Sequence, residues 1–173
     1  MTTMSGDGVS TEAIHALDSK WVLWAHFPHD TDWTINSYKR VAEFETVESV
    51  IAVTETLPEQ LVKNCMLFLM KDGIQPIWED PKNRDGGCFS YKTQNRDVYG
   101  AWKNLTYAIT GESVTPIDAL RQCVNGITIS PKKNFCIIKI WLSTCDHQNP
   151  RMIADISGIS PKGCIFKKQK PEY

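Results

Sequence analysis

Two tryptophans lie in irregular segments, and the second of them is followed by two acidic residues. Trp78 lies between two prolines, which exclude a helix or a central strand, and Glu79 and Asp80 come directly after it. Trp33 follows a cluster of turn-forming residues at positions 28–32. An indole ring beside a carboxylate suits a flat ligand that stacks on the ring and presents two N–H donors along one edge.

Guanine is a ligand of this kind, because its N1–H and its amino group lie side by side. Stacking a base on an aromatic ring contributes roughly 1–3 kcal/mol, and each hydrogen bond to a carboxylate adds on the order of 1.5–3 kcal/mol. Methylation at N7 makes guanine cationic, and two tryptophan faces then add about 0.5–2 kcal/mol by cation–π attraction. On spacing alone the interpretation stays open, since a tryptophan on a loop can also cover the hydrophobic core.

Catalytic motifs are missing from the sequence. It contains no Gly-x-Ser-x-Gly, no glycine-rich phosphate loop and no His-Glu-x-x-His, and Gly86-Gly87 predicts a bend where a strand begins. The six cysteines form no Cys-x-x-Cys, and the pair His26 and His29 has no second pair of ligands nearby in sequence. We therefore expect a protein that is not an enzyme and that binds no metal or cofactor.

Composition predicts one globular unit. The chain has 173 residues, of which 42% are hydrophobic and 23% charged, and its net charge of −1 argues against a broad basic surface for duplex nucleic acid. No apolar run approaches the roughly 18 residues of a membrane span, and the first residues lack the pattern of a signal peptide. We expect residues 1–13 to be a disordered tail, residues 14–173 to be one domain, and the protein to be soluble and cytoplasmic.

Apolar periodicity predicts a single α+β domain. Strands are predicted over residues 20–27, 38–44, 65–70, 88–93, 127–129, 136–142 and 163–166, and helices over 47–57, 96–111 and 116–123, with a short one near 150. Thr46 is the predicted N-cap of the first helix, and Pro58 is predicted to end it. Short connections between consecutive strands favour antiparallel pairing, with the helices on one face of the sheet.

Several segments together form a pattern of tryptophans, acidic residues and glycines. They are Trp21-x-x-Trp24, Trp33, Phe44-Glu45-Thr46-Val47-Glu48, Lys71-Asp72-Gly73-Ile74-Gln75-Pro76-Ile77-Trp78-Glu79-Asp80-x-Lys82-Asn83, Gly86-Gly87, Trp102, Gly111-Glu112-Ser113 and Ile140-Trp141. This pattern resembles the initiation factor 4E family, the mRNA cap-binding subunit of the eukaryotic initiation factor 4F complex. The resemblance extends from about residue 15 to the last strand, and it is most specific over residues 71–87.

The resemblance implies a fold and a binding site. It implies a curved antiparallel sheet of about seven to eight strands, with three helices on the convex face and the cap bound on the concave side. Trp33 and Trp78 match the two tryptophans that stack on 7-methylguanine, and Glu79 matches the carboxylate that contacts the guanine edge. Trp141 matches the tryptophan that contacts the N7 methyl group.

The expected phosphate contacts depart from the family pattern. The family has an arginine after the Gly-Gly pair, where this chain has Cys88, and a second arginine where this chain has Ser130. Lys132 and Lys133 are the remaining candidates for a phosphate contact, although they are equally well interpreted as the solvated tip of a hairpin. We expect phosphate binding to be weaker than is usual in the family, with stacking supplying most of the affinity.

The resemblance also implies a partner on the convex face. Family members bind a Tyr-x-x-x-x-Leu-φ helix (φ, an apolar residue) of a 4G-type scaffold or a repressor, through a tryptophan whose position here is Ile51. The other residues that match this site are His15, Ala16, Val47, Asn104 and Tyr107. An aliphatic and aromatic patch suits a helix docked in a groove, but Ile51 and Tyr107 could also simply pack on neighbouring helices.

These observations predict a monomeric, non-catalytic protein that binds the 7-methylguanosine cap of mRNA and recruits a scaffold protein for translation initiation. The alternative is a cap-binding repressor or competitor with altered scaffold binding. Cys88 and Ile51 favour altered partners, whereas the intact set of Trp33, Trp78 and Glu79 favours a working base site.

Overall fold

The structure is a computed structural model and describes residues 13–173, so nearly all of the expected tail over residues 1–13 lies outside the described residues. Within the described range the chain forms seven strands and four α-helices. The strands are β1 (Ala16–His26), β2 (Lys39–Thr46), β3 (Met66–Lys71), β4 (Gly87–Gln94), β5 (Val124–Pro131), β6 (Phe135–Leu142) and β7 (Ile165–Lys168). The helices are α1 (Val47–Thr56), α2 (Glu59–Asn64), α3 (Asn95–Thr110) and α4 (Asp118–Cys123).

All seven strands belong to one sheet, in the order β2-β1-β3-β5-β6-β4-β7, and every neighbouring pair is antiparallel. The predicted α+β architecture with an antiparallel sheet is therefore confirmed. The predicted hairpin is present, with Pro131 opposite Cys136 at its end. The strand lengths differ from the predictions mainly at β5, which covers Val124–Pro131 rather than 127–129, and at β1, which begins at Ala16 rather than at residue 20.

The two faces of the sheet carry different sets of apolar side chains, because successive residues of a strand point to opposite faces. In β3, Leu67 and Leu69 pack in the main core together with Trp21 and Trp102, and we call this side the helix face. Phe68 and Met70, which alternate with these leucines, point to the opposite side of the sheet, which we call the cavity face. A smaller apolar cluster lies there and consists of Phe68, Met70, Ile74, Cys88 and Trp141.

The first two helices meet at a proline. Thr46 caps α1, since its hydroxyl accepts a hydrogen bond from the backbone N–H of Ser49 while the Ser49 hydroxyl accepts one from the N–H of Thr46. Pro58 follows the end of α1 as predicted, but it is also the N-cap of α2. The sequence prediction missed α2, so four α-helices replace the predicted three; a fixed φ lets proline begin a helix as readily as it ends one.

The helices are too short or too polar for a membrane span. In the part of the chain that the structure describes, no helix is long and apolar enough to cross a membrane. The longest, α3, has 16 residues and packs its apolar side against the sheet through Val98, Trp102, Leu105 and Ile109, each at most 1% exposed. The predicted short helix near residue 150 is one 3₁₀ turn, Pro150–Met152.

Candidate ligand-binding site

The loop after β1 holds Trp33 at the surface. The carboxylate of Asp30 accepts a hydrogen bond from the N–H of Asp32 (2.9 Å), and the carboxylate of Asp32 accepts one from the N–H of Thr34 (2.8 Å). These hydrogen bonds form two successive Asx turns, and the hydrogen bond from Thr34 lowers the pKa of Asp32. The Trp33 ring stacks on the buried ring of His26, with centroids 4.1 Å apart and planes 4° apart. Since the side chain is 54% exposed, the face away from His26 is free for a ligand.

Two buried polar residues fix the loop that carries Trp78 and Glu79. The carboxylate of Asp80 accepts hydrogen bonds from the N–H groups of Gln75 and Lys82, both at 2.8 Å. The fully buried amide of Asn83 donates to the carbonyl oxygens of Gln75 (3.0 Å) and Ile77 (2.9 Å). The motif residues that follow Glu79 therefore shape the loop, and Trp78 and Glu79 are left half-buried at its turn.

Both tryptophan loops border one cavity of about 530 Å³ on the cavity face of the sheet. Trp33, Trp78 and Glu79 line it, and Trp141 of β6 and Phe68 of β3 lie at its floor. The other lining residues are Thr31, Thr34, Tyr38, Met66, Pro76, Ile77, Thr128, Ser130, Lys139, Glu172 and Tyr173. Tertiary structure thus brings together the four residues that the sequence analysis assigned to a flat base.

A series of aromatic contacts supports the floor. Tyr38 makes edge contacts with His26, at 4.9 Å between centroids, and with Phe68, at 5.2 Å. Phe68 in turn makes an edge contact with Trp141 at 6.4 Å. The ring that stacks on Trp33 is therefore connected to the floor by packed side chains, and each edge-to-face pair adds on the order of 0.5–1.5 kcal/mol beyond burial.

Charge is unevenly distributed over the cavity. Glu79 and Glu172 contribute carboxylates, and Oε1 of Glu79 accepts a hydrogen bond from the backbone N–H of Glu172 at 3.2 Å. Burial, aided by the negative charges of Glu79 and Asp32, raises the pKa of Tyr38 to about 12, so its phenol is neutral at neutral pH. Among the described residues that line the cavity, Lys139 is the one cation, and its Nζ lies 6.0 Å from the Trp78 ring centroid.

The lysines that the sequence analysis considered lie elsewhere. Lys132 and Lys133 are exposed at the β5–β6 hairpin tip, and neither lines the cavity. Ser130, at the position of a family arginine, does line it. Cys88, at the position of the other, is 3% exposed and packs in the cavity-face cluster, where burial raises the pKa of its thiol.

Lys139 is the basic lining residue that the sequence analysis missed, although a signal was present. It lies two residues before Trp141 in β6, and residues two apart in a strand share a face. His26 was considered only as half of a metal site. Its Nε2 is instead 2.8 Å from the carbonyl oxygen of Asp32, and its ring supports Trp33.

The helix side of the molecule presents an exposed apolar patch at the start of α1. Val47 is 39% exposed and Ile51 is 46% exposed, and a spacing of four residues places them on the same side of the helix. The segment before β1 is attached to this helix start: the N–H of Val47 donates to the carbonyl oxygen of His15 (2.8 Å), and Ala16 pairs with Thr46. Nδ1 of His15 also lies 2.6 Å from a carboxylate oxygen of Glu48, which lowers the pKa of Glu48.

The remaining candidates on this side, Asn104 and Tyr107, are in α3, and their side chains form hydrogen bonds within the protein. The Tyr107 hydroxyl donates to Glu55 of α1 (2.5 Å), as does the ammonium of Lys103 (2.6 Å), and these two hydrogen bonds lower the pKa of Glu55. The amide of Asn104 donates to the carbonyl oxygen of Ser157 at 3.2 Å. Tyr107 therefore joins α1 to α3, whereas Asn104 joins α3 to the segment before β7.

The side chains that line the cavity suit a flat ligand. An indole ring on each of two loops, a carboxylate beside the second indole and an aromatic floor match a flat ring with donors along one edge. The four groups are supplied by separate loops and strands that buried hydrogen bonds and aromatic contacts hold in place.

Comparison with known proteins identifies relatives over most of the chain. Residues 16–159 match the family described as eukaryotic initiation factor 4E. Human eukaryotic translation initiation factor 4E is 31% identical over 160 residues, which cover 86% of this chain and 72% of the human protein. The Candida glabrata protein of the same name is 26% identical over 153 residues, covering 84% of this chain and 71% of that protein.

Solved structures show the same fold. Schistosome eIF4E complexed with m7GpppG and 4E-BP has a TM-score of 0.69 at 28% identity, covering 79% of this chain and 76% of that chain. The complex of C. elegans eIF4E-3 with the 4E-binding protein Mextli and cap analog has a TM-score of 0.69 at 24% identity, covering 77% and 76%.

Proposed function

The chain belongs to the eukaryotic initiation factor 4E family, and on that basis we propose that it binds the 7-methylguanosine cap of mRNA and recruits a scaffold protein for translation initiation. The observation that carries the proposal is the meeting of Trp33, Trp78 and Glu79 at one cavity above Trp141. We further propose that it acts by binding alone, without catalysing a reaction, and in the cytoplasm.

The proposed mode of binding gives one role to the two loop tryptophans, one to Glu79 and one to Trp141. The base stacks between the open face of Trp33 and the ring of Trp78, and Glu79 accepts hydrogen bonds from guanine N1–H and N2–H. Trp141 contacts the methyl group at N7. Glu79 accepts a hydrogen bond from the backbone N–H of Glu172. The N–H donors of guanine would take the place of this backbone donor.

A titration with 7-methyl-GTP and with GTP tests this assignment directly. We expect the methylated nucleotide to bind about two- to thirty-fold more tightly, because a cationic base gains about 0.5–2 kcal/mol from two indole faces. The quenching of tryptophan fluorescence measures both dissociation constants. Equal dissociation constants for the two nucleotides would argue against stacking of a cationic base between two tryptophans. Failure of 7-methyl-GTP to bind would reject the proposed function.

The partner surface is proposed at Val47 and Ile51, flanked by His15, Ala16, Asn104 and Tyr107. Support comes from the exposed apolar side of α1, which is contiguous with the segment before β1 through the Val47–His15 hydrogen bond. A helical peptide of the Tyr-x-x-x-x-Leu-φ type would place its apolar side on this patch. Schistosome eIF4E with 4E-BP and C. elegans eIF4E-3 with Mextli are relatives in which a binding protein is present.

Ile51→Asp should weaken the binding of such a peptide by about tenfold or more, because the peptide would bury an unpaired carboxylate. Affinity for 7-methyl-GTP should be unchanged, since Ile51 lies on the helix side. Val41→Asp is the matched control, because Val41 is 47% exposed, belongs to neither apolar cluster and lies in β2, outside the residues of the proposed surface. Retention of the peptide by Ile51→Asp in a pull-down, or its loss in Val41→Asp, would reject this surface.

A further inference from the structure

Lys139 is a cation without a carboxylate partner. The ion pairs found among residues 13–173 are all formed by basic residues other than Lys139. Lys139 is half-buried in the middle of β6, between Thr128 of β5 and Ser90 of β4. Its positive charge also acts on the buried thiol of Cys88. Burial raises the pKa of that thiol, and the charge of Lys139 partly opposes this increase. A half-buried ammonium group in a ligand cavity, with no carboxylate beside it, favours an anion.

Two further polar groups close to Lys139 have no hydrogen-bond partner among residues 13–173. The hydroxyl of Thr128 and the indole N–H of Trp141 are both buried and form no hydrogen bond, although each residue is only 3% exposed. Thr128 pairs directly with Lys139 across the strands, and Trp141 lies two residues further along the same face. A buried polar group without a partner is costly, and a bound ligand atom is one way to satisfy it.

We propose that Lys139 and Thr128 form the subsite for the nucleotide's first phosphate, an inference that rests on the proposed function of the same cavity. The ammonium group lies beside Trp78, one of the two rings that would stack on the base. The first phosphate is the one nearest to the base, whereas the hairpin-tip lysines lie outside the cavity. In this proposal Lys139, on the sheet floor, takes the role of the two arginines that the family has where this chain has Cys88 and Ser130.

The quantity that tests this subsite is the phosphate gain, defined as the dissociation constant of 7-methylguanosine divided by that of its 5′-monophosphate. Calorimetry measures both ligands on the full chain. A charge-assisted hydrogen bond predicts a gain of about tenfold to a hundredfold in the wild type. The nucleoside carries no phosphate, so its constant reports on the base site alone.

Lys139→Met keeps the length of the side chain and removes its charge. We expect the phosphate gain to fall to about twofold or less, while the affinity for the nucleoside stays within about twofold of the wild type. Lys139→Gln serves as a second neutral variant if the first is poorly folded, and Lys139→Arg should retain most of the gain. Thr128→Val should lower it by about fivefold, the usual net effect of one hydrogen bond.

Lys162 provides the matched control, because it is an exposed lysine that does not line the cavity. Lys162→Ala should leave the gain unchanged. The double change Lys132→Ala and Lys133→Ala tests the hairpin tip. A full gain in Lys139→Met and Lys139→Gln would overturn the inference, and its loss in the hairpin variant would assign the phosphate to that tip. Failure of the wild type to bind even the nucleoside would instead reject the proposed function.

Discussion

Replacing Glu79 by glutamine should lower the affinity for 7-methyl-GTP by at least about a hundredfold. Guanine N1–H and N2–H are both donors, and the two carboxylate oxygens of Glu79 accept both. Glutamine has the same shape but turns an NH₂ group toward one of these donors, so one hydrogen bond is lost and its donor is left unpaired. The lost charge-assisted bond contributes on the order of 1.5–3 kcal/mol, and the remaining bond is weakened because glutamine is neutral, which gives a total loss of about 3 kcal/mol.

The same change should abolish the preference for guanine over adenine nucleotides. Glu79 is half-buried on a loop and contributes no side chain to either apolar cluster, so the temperature of unfolding should not change. Calorimetric titration of Glu79→Gln and the wild type with guanine and adenine nucleotides measures both effects. An unchanged guanine preference in Glu79→Gln would show that another group contacts the guanine edge.

Trp33→Ala and Trp78→Ala should each lower the affinity for 7-methyl-GTP by about tenfold or more, because each removes one stacked face that contributes roughly 1–3 kcal/mol. The ratio between 7-methyl-GTP and GTP should fall as well, since the cation–π contribution of that face is lost. Trp33 is 54% exposed and Trp78 half-buried, so both variants should remain folded. Calorimetry avoids the change in fluorescence that the substitutions cause.

Trp24 offers a control for a tryptophan on the same side of the sheet. It packs against the cavity-face cluster, with the guanidinium of Arg40 5.3 Å from its ring centroid, but it does not line the cavity. Trp24→Phe should therefore leave nucleotide affinity within about twofold of the wild type. Wild-type affinity in both alanine variants, with normal folding, would rule out stacking as the mode of binding.

Local patterns predicted most of the fold. Alternating apolar residues located the strands, and the Thr46 cap located the start of α1. The error at Pro58 has a local cause as well: proline is compatible with the end of one helix and the start of the next, and only the packing of Val62 in the core shows that α2 forms. The order of strands in the sheet was not predictable from these patterns, because it depends on contacts between distant segments.

For the site, the sequence alone determined which side chains are suited to a flat base. Prolines on both sides place Trp78 on a loop, with Glu79 directly after it. This conclusion does not require knowledge of the rest of the chain, whereas the hydrogen bonds of Asp80 and Asn83 that fix the loop were found only in the structure.

Only the tertiary structure decided that Trp33 and Trp78 border the same cavity and that Lys139 enters it while Lys132 and Lys133 do not. The physical reason is that the period of a strand fixes which face a side chain occupies, but not which strands lie beside it. The neighbours of Lys139 are set by the pairing of β6 with β4 and β5, and that pairing results from the burial of the main core on the helix face and of the smaller cluster on the cavity face.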